Sequence, residues 1–263
     1  MKKSTIFLMA ITVLSGFVLV YSLLNPNKVF EQFYKLGGDY DKLTLDHTSI
    51  YVPPNVATNA KESLGNFEPT RQLATKLFNF EYDDLPDLSF FVIIPGNVGY
   101  QRVQNVTGSY LPDEGVILLN GERALFGTII HEYSHFLFDL YLKDNGLAIE
   151  KLPVWLVEGL ADYMAFQIEH ALPVATYEYD VLSLEQLNEW DSSNIRTVNL
   201  QGFYMVYDLI ENYGEDIIVQ LVDTYKNTNN FKTTFEKVTG ESFDAFICAL
   251  KEIVFCAYGI VTL

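Results

Sequence analysis

Residues 125–142 read LFGTIIHEYSHFLFDLYL, an apolar run broken at its centre by His131, Glu132 and His135. From Arg123 onward the apolar period changes from two to about 3.6, so strands give way to helices at this point. Upstream, residues 43–52 alternate apolar with polar and predict one strand, halted by Pro53 and Pro54. Residues 56–80 carry apolar positions at helical spacing and predict one helix or two short ones. Strands are predicted at 89–95 and 115–120, the latter ended by Asn120-Gly121, with a polar, irregular stretch at 100–110 between them. The expected fold class is α+β. A small mixed sheet with helices covers residues 42–121, and a mostly helical part covers 122–263.

Composition narrows the function. The chain has 263 residues, 49% hydrophobic and 19% charged, which is apolar enough to offset the entropy of ordering and excludes global disorder. Its 34 acidic against 17 basic side chains argue against nucleic acid as a partner, because a phosphate backbone has to be met by clustered Lys and Arg. No basic run appears beyond Lys2 and Lys3.

Residues 5–24 are uncharged and mostly apolar. A helix of that length spans the roughly 30 Å hydrocarbon core, and the preceding lysines predict that the remainder is exported. Residues 1–26 therefore read as a single-pass membrane anchor, or as a signal peptide cleaved near Ser22 from a secreted protein. No Cys follows that run, so lipid attachment is not supported. Residues 27–41 read as a tether, with the domain starting near Lys42. Cys248 and Cys256 fall on one predicted helix, roughly 12 Å apart, too far for a disulfide, and read as free buried thiols.

The chemistry lies in the H-E-x-x-H pattern. Residues four apart on a helix share a face, so the imidazoles of His131 and His135 can converge on one ion, and neutral imidazole nitrogen suits Zn²⁺. Glu132, one position along, lies beside the ion, where a general base for hydrolysis belongs. The pattern also arises by chance, so its surroundings must decide. A catalytic zinc site needs a third protein ligand and an open position. Residues 153–163 read PVWLVEGLADY, with Pro153 suited to a helix start and the pattern running on to Glu169. A turn at 143–146 lets this helix return antiparallel to the first. At 1.5 Å per residue, His135 lies about 10 Å before the first helix ends and Glu158 about 7.5 Å after the second begins. Glu158 is thus expected at the level of His135 as third ligand. Asp162 is expected one turn on at the level of His131, accepting from the ring nitrogen turned away from the metal.

This set resembles the gluzincin zinc metallopeptidases, and more narrowly their small peptidase MA-like group. The resemblance rests on the H-E-x-x-H helix and the glutamate and aspartate four apart on the next. It covers roughly residues 43 to 255, although only the two helices are specific. It implies a zincin-type helical part, one Zn²⁺ held by His131, His135 and Glu158, Glu132 as base, and a peptide or protein substrate. The family commonly uses a tyrosine or histidine for the oxyanion. Tyr204 is the first choice here and Tyr207 the second. It also implies that the strand before the active-site helix, 115–120, is an edge that pairs with extended peptide. Residues 100–115 could then cover the cleft and keep the enzyme latent. The alternative function is a noncatalytic extracellular binding domain on the same fold, which would have no use for Glu132.

Other residues read as structural. His47 is expected in a strand and His170 at a helix end, where a cation suits the dipole. Trp155 and Phe166 are expected in the core. Asp83, Asp84 and Asp87 form an acidic loop without the ligand spacing of a calcium site. Asn105 and Thr107 match a glycosylation triplet that is common by chance.

Overall fold

The computed structural model describes residues 26–35, 39–54, 56, 64–83, 85–123, 127–170, 187 and 195–249. In chain order its elements are α1 (Pro26–Lys35), β1 (Asp41–Leu45), β2 (Thr48–Val52), α2 (Phe67–Phe78), β3 (Leu88–Ile93), α3 (Tyr100–Val103), β4 (Gly108–Leu111) and β5 (Val116–Asn120), then α4 (Thr128–Asp144), α5 (Val154–Glu169), α6 (Ile195–Tyr213), α7 (Ile217–Thr228) and α8 (Phe231–Thr239). The protein is α+β. One compact unit is built from residues 1–58 and 85–124, a second from 59–84 and 125–263.

The first unit holds a five-stranded mixed sheet in the order β1-β2-β3-β5-β4. β3 runs parallel to both β2 and β5, and the outer strands β1 and β4 are antiparallel to their neighbours. Every residue of β3 (LSFFVI) and β5 (VILLN) is buried, which is why these strands read as continuous apolar runs instead of alternating. Tyr51 stacks on Phe91 with centroids 4.7 Å apart at the centre of the core. Asn120, fully buried, ends β5. Its Nδ2 donates to the carbonyls of Val103 at 2.7 Å and Val106 at 3.2 Å, and its Oδ1 accepts from the Glu122 N–H at 3.0 Å.

Five sequence expectations change in this unit. Residues 43–52 form a hairpin, not one strand, because Asp46 takes a left-handed φ of 48° and turns the chain. His47 accordingly lies exposed in the turn, 3.8 Å from Asp87. Residues 100–110, expected to be irregular, contain α3 and the start of β4, elements of four residues that are too short to show a period. Strand β5 is not an edge: β4 pairs along its outer side, so the edge belongs to β4. The expected tether contains α1, which is part of the fold. Tyr34 is buried against Phe91, donates to Glu114 Oε2 at 2.7 Å and accepts from Arg102 Nη1 at 2.8 Å. Tyr51 also donates to Glu31 at 2.5 Å.

The second unit is helical. Phe67 of α2 stacks on Tyr133 of α4 at 4.3 Å, and Phe78 packs against Phe138 and Tyr141, both at 5.2 Å. Tyr82 donates to the Leu137 carbonyl at 3.0 Å, fixing the segment after α2 against α4. Trp155 of α5 is fully buried among Phe231 and Phe243. Tyr225 of α7 donates to the Lys151 carbonyl at 2.7 Å and so pins the approach to α5. Residues 243–249 are helical, but Cys248 is exposed, a correction to the buried thiol; Cys256 lies outside the described residues. Among the described residues no helix is long and apolar enough to cross a membrane, and the run at 5–24 lies outside them.

Candidate metal centre

Helix α4 delivers two imidazoles to one side. His131 and His135, one turn apart, bring their Nε2 atoms to 3.0 Å, with the rings edge-on at 86°. The chain then turns at Asn145 and Gly146, where Gly146 takes a φ of 70°, and α5 returns. Pro153 sits at its N-cap, one residue earlier than the sequence pattern places it. Glu158 reaches back between the two rings. Its Oε2 lies 3.3 Å from His131 Nε2 and its Oε1 3.4 Å from His135 Nε2. One turn further, Asp162 Oδ1 meets His131 Nδ1 at 2.6 Å. Asp162 thus stands at the level of His131, where the count from rise per residue puts it, while Glu158 stands at the level of both rings rather than of His135 alone.

These spacings suit a small cation. Ligands at about 2.0–2.1 Å in a tetrahedron stand about 3.3 Å from one another, and 3.0, 3.3 and 3.4 Å separate the three donors here. One ligand atom each from His131, His135 and Glu158 lies within 4.8 Å of the others. The donor set, two imidazoles and a carboxylate, is the kind that Zn²⁺ takes in catalytic sites.

The electrostatics point the same way. Two imidazole nitrogens facing each other at this distance cannot both present lone pairs, so a proton or a cation must lie between them. Burial alone would lower His131, but Asp162 and then Glu158 outweigh it and hold the imidazole well above its ordinary value of 6.5. Burial would likewise raise Glu158, yet the His135 and His131 rings keep its carboxyl well below the usual carboxylate range. With Nδ1–H of His131 given to Asp162, Nε2 is the nitrogen left for an ion. Glu132 is buried, one residue and about 100° round the helix from His131.

Sequence reasoning passed over two glycines that set this geometry. Gly159 directly follows Glu158, and Gly202 lies inside α6. A Cβ on Gly202 would stand 2.4 Å from the Trp155 carbonyl oxygen, so α6 meets the ligand helix backbone to backbone. The available signal was an isolated glycine inside each helical pattern, which costs about 1 kcal/mol against Ala and needs a reason. Of the expected oxyanion residues, Tyr204 is half-buried with its ring edge-on to Phe203 at 5.2 Å. Tyr207 is exposed and packs at 6.3 Å from Tyr163. Trp155 is core as expected, Phe166 is half-buried against Phe203, and His170 ends α5 in a left-handed conformation.

No protein-family model matches the chain. The chain is similar to the uncharacterized protein YhcO of Bacillus subtilis (strain 168), with 28% identity over an alignment covering 61% of this chain and 55% of that protein. It thus spans about half the length of this curated relative.

Proposed function

We propose that the protein is an exported zinc-dependent metallopeptidase of the gluzincin type, with a zincin-like helical part. The observation that carries this is the closed triangle of His131, His135 and Glu158, backed by Asp162 and accompanied by a buried Glu132. The three ligand residues would hold one Zn²⁺, which supplies a Lewis acid that activates water and polarises a carbonyl. Asp162 keeps the proton of His131 on Nδ1 and fixes the ring. Glu132 takes a proton from the attacking water and passes it to the leaving nitrogen. Tyr204 is the candidate donor to the developing oxyanion. The resemblance also implies an edge strand that pairs with extended peptide, and the outer strand on the β5 side of the sheet is β4. The apolar run at residues 5–24 supports a location at the cell membrane, or outside the cell if it is cleaved.

A noncatalytic binding domain is the less favoured reading, because a structural zinc site gains nothing from a base beside the ion. Digestion of a broad peptide library by the chain from Asn27, with and without chelator and beside Glu132→Gln, tests the assignment. Cleavage lost in both controls supports it. A protein that takes up zinc and cuts nothing in the library overturns it.

A further inference from the structure

Asp139 is the most deeply buried acidic side chain among the described residues, 1% exposed, on α4 one turn beyond His135. Its ion-pair partner Lys143, 2.7 Å away, is half exposed. The two rungs already described fix where this carboxylate stands. A step of four along α4, from His131 to His135, is matched by a step of four back along α5, from Asp162 to Glu158. The next step pairs Asp139 with Val154, the first residue of α5.

That end of α5 needs an acceptor. Its N-cap is Pro153, which supplies no side-chain cap, and the first intrahelical bonds run from Leu156 and Val157 to the Pro153 carbonyl at 3.0 and 3.2 Å. The N–H groups of Val154 and Trp155 precede any such acceptor, and Trp155 is fully buried. An anion is favoured there both as acceptor and by the helix dipole.

A carboxylate also stands near the opposite end. Helix α4 begins after Gly127, which has no side chain to cap with. Glu169, the last residue of α5, places Oε2 3.3 Å from where a Cβ on Gly127 would be. Its Oε1 lies 3.5 Å from Asn66 Nδ2, while Oε2 is buried with no hydrogen-bond partner among the described residues.

We propose that Asp139 is a positioning residue that holds the two site helices in register, its carboxylate lying at the amino end of α5, the helix it does not belong to. The ligand triangle requires that register, since sliding α5 by one turn would carry Glu158 about 5.4 Å from the imidazoles. The inference rests on the metal-site reading but not on peptidase activity.

The test uses the full chain, with zinc affinity by chelator competition and amide exchange at Val154, Trp155 and Leu156. Asp139→Ala is expected to weaken zinc by about tenfold or more and to speed exchange at those amides. Asp139→Asn keeps an acceptor and is expected to restore both to within about threefold of the parent. Lys143→Met is expected to leave both unchanged. The proposal is overturned if Lys143→Met reproduces the Ala variant, which would make Asp139 only half of an ion pair, or if Asn is no better than Ala. Should the Ala variant not fold, the Asn and Met variants decide: retention in both supports the register role, and a large loss in either removes it. A parent that binds zinc without cleaving any peptide defeats the peptidase reading alone. A parent that does not bind zinc defeats the metal reading and leaves the amide exchange to decide this one.

Discussion

Gly159 and Gly202 bring two helices into direct backbone contact: a Cβ on Gly159 would stand 2.2 Å from the carbonyl carbon of Gly202. The residue before Gly159 is the proposed ligand Glu158, so the closeness of this crossing sets how far its carboxylate reaches.

Gly202→Ala should therefore destabilise the protein, although Ala is the better helix former by about 1 kcal/mol. The added methyl meets the Trp155 carbonyl, which belongs to rigid backbone, and forcing the helices apart should cost about 2–3 kcal/mol net. Urea unfolding of the zinc-free protein measures this. A midpoint at or above that of the parent would show that the helices separate without strain.

Asp162→Asn should lower zinc affinity by about 10–100-fold, because the outer partner both orients His131 and raises its basicity. Asn keeps a hydrogen-bonding oxygen but loses the charge, so Asp162→Ala should be worse. Chelator competition separates the two variants. Equal affinity in Asn, Ala and parent would remove Asp162 from the site.

The ion-free protein should have a pH window of greatest stability. His131 is held above its ordinary 6.5, so its contribution is complete below that value and is lost as pH rises through the raised one. Glu158 is held below its ordinary 4.5, so its contribution is complete above that value and is lost as pH falls toward the lowered one. Zinc bound at the proposed site would compete with the His131 proton, so its affinity should rise by about tenfold per pH unit below the raised value. Thermal unfolding with and without zinc across pH 5 to 9 shows both trends, and a pH-independent zinc affinity would contradict them.

Tyr204→Phe should lower kcat by about 10²-fold with little change in KM, if its hydroxyl meets the oxyanion only in the transition state. Tyr207→Phe should have no such effect, since its ring is exposed. A reversal of the two would transfer the role to Tyr207.

The site was legible because its logic is local to two helices. The four-residue spacing of His131 and His135 and of Glu158 and Asp162, with a turn of countable length between, suffices to align the rungs. The sheet was less legible. Continuous apolar runs revealed β3 and β5, but neighbour order is a long-range property, and β4 is too short to announce that it covers β5. Helix α1 was hidden because its docking depends on Glu114 and Arg102, which lie 80 and 68 residues from Tyr34. The crossing at Gly202 was invisible for a similar reason, since nothing in α6 names its partner.

Tyr34, hydrogen-bonded to Arg102 and Glu114, ties α1 into the sheet unit at residue 34. If residues 5–24 lie in a bilayer, that unit is moored at the surface and does not swing on a leash. On the peptidase reading proposed above, its substrates would be those that pass close to the lipid and not those that diffuse away from it.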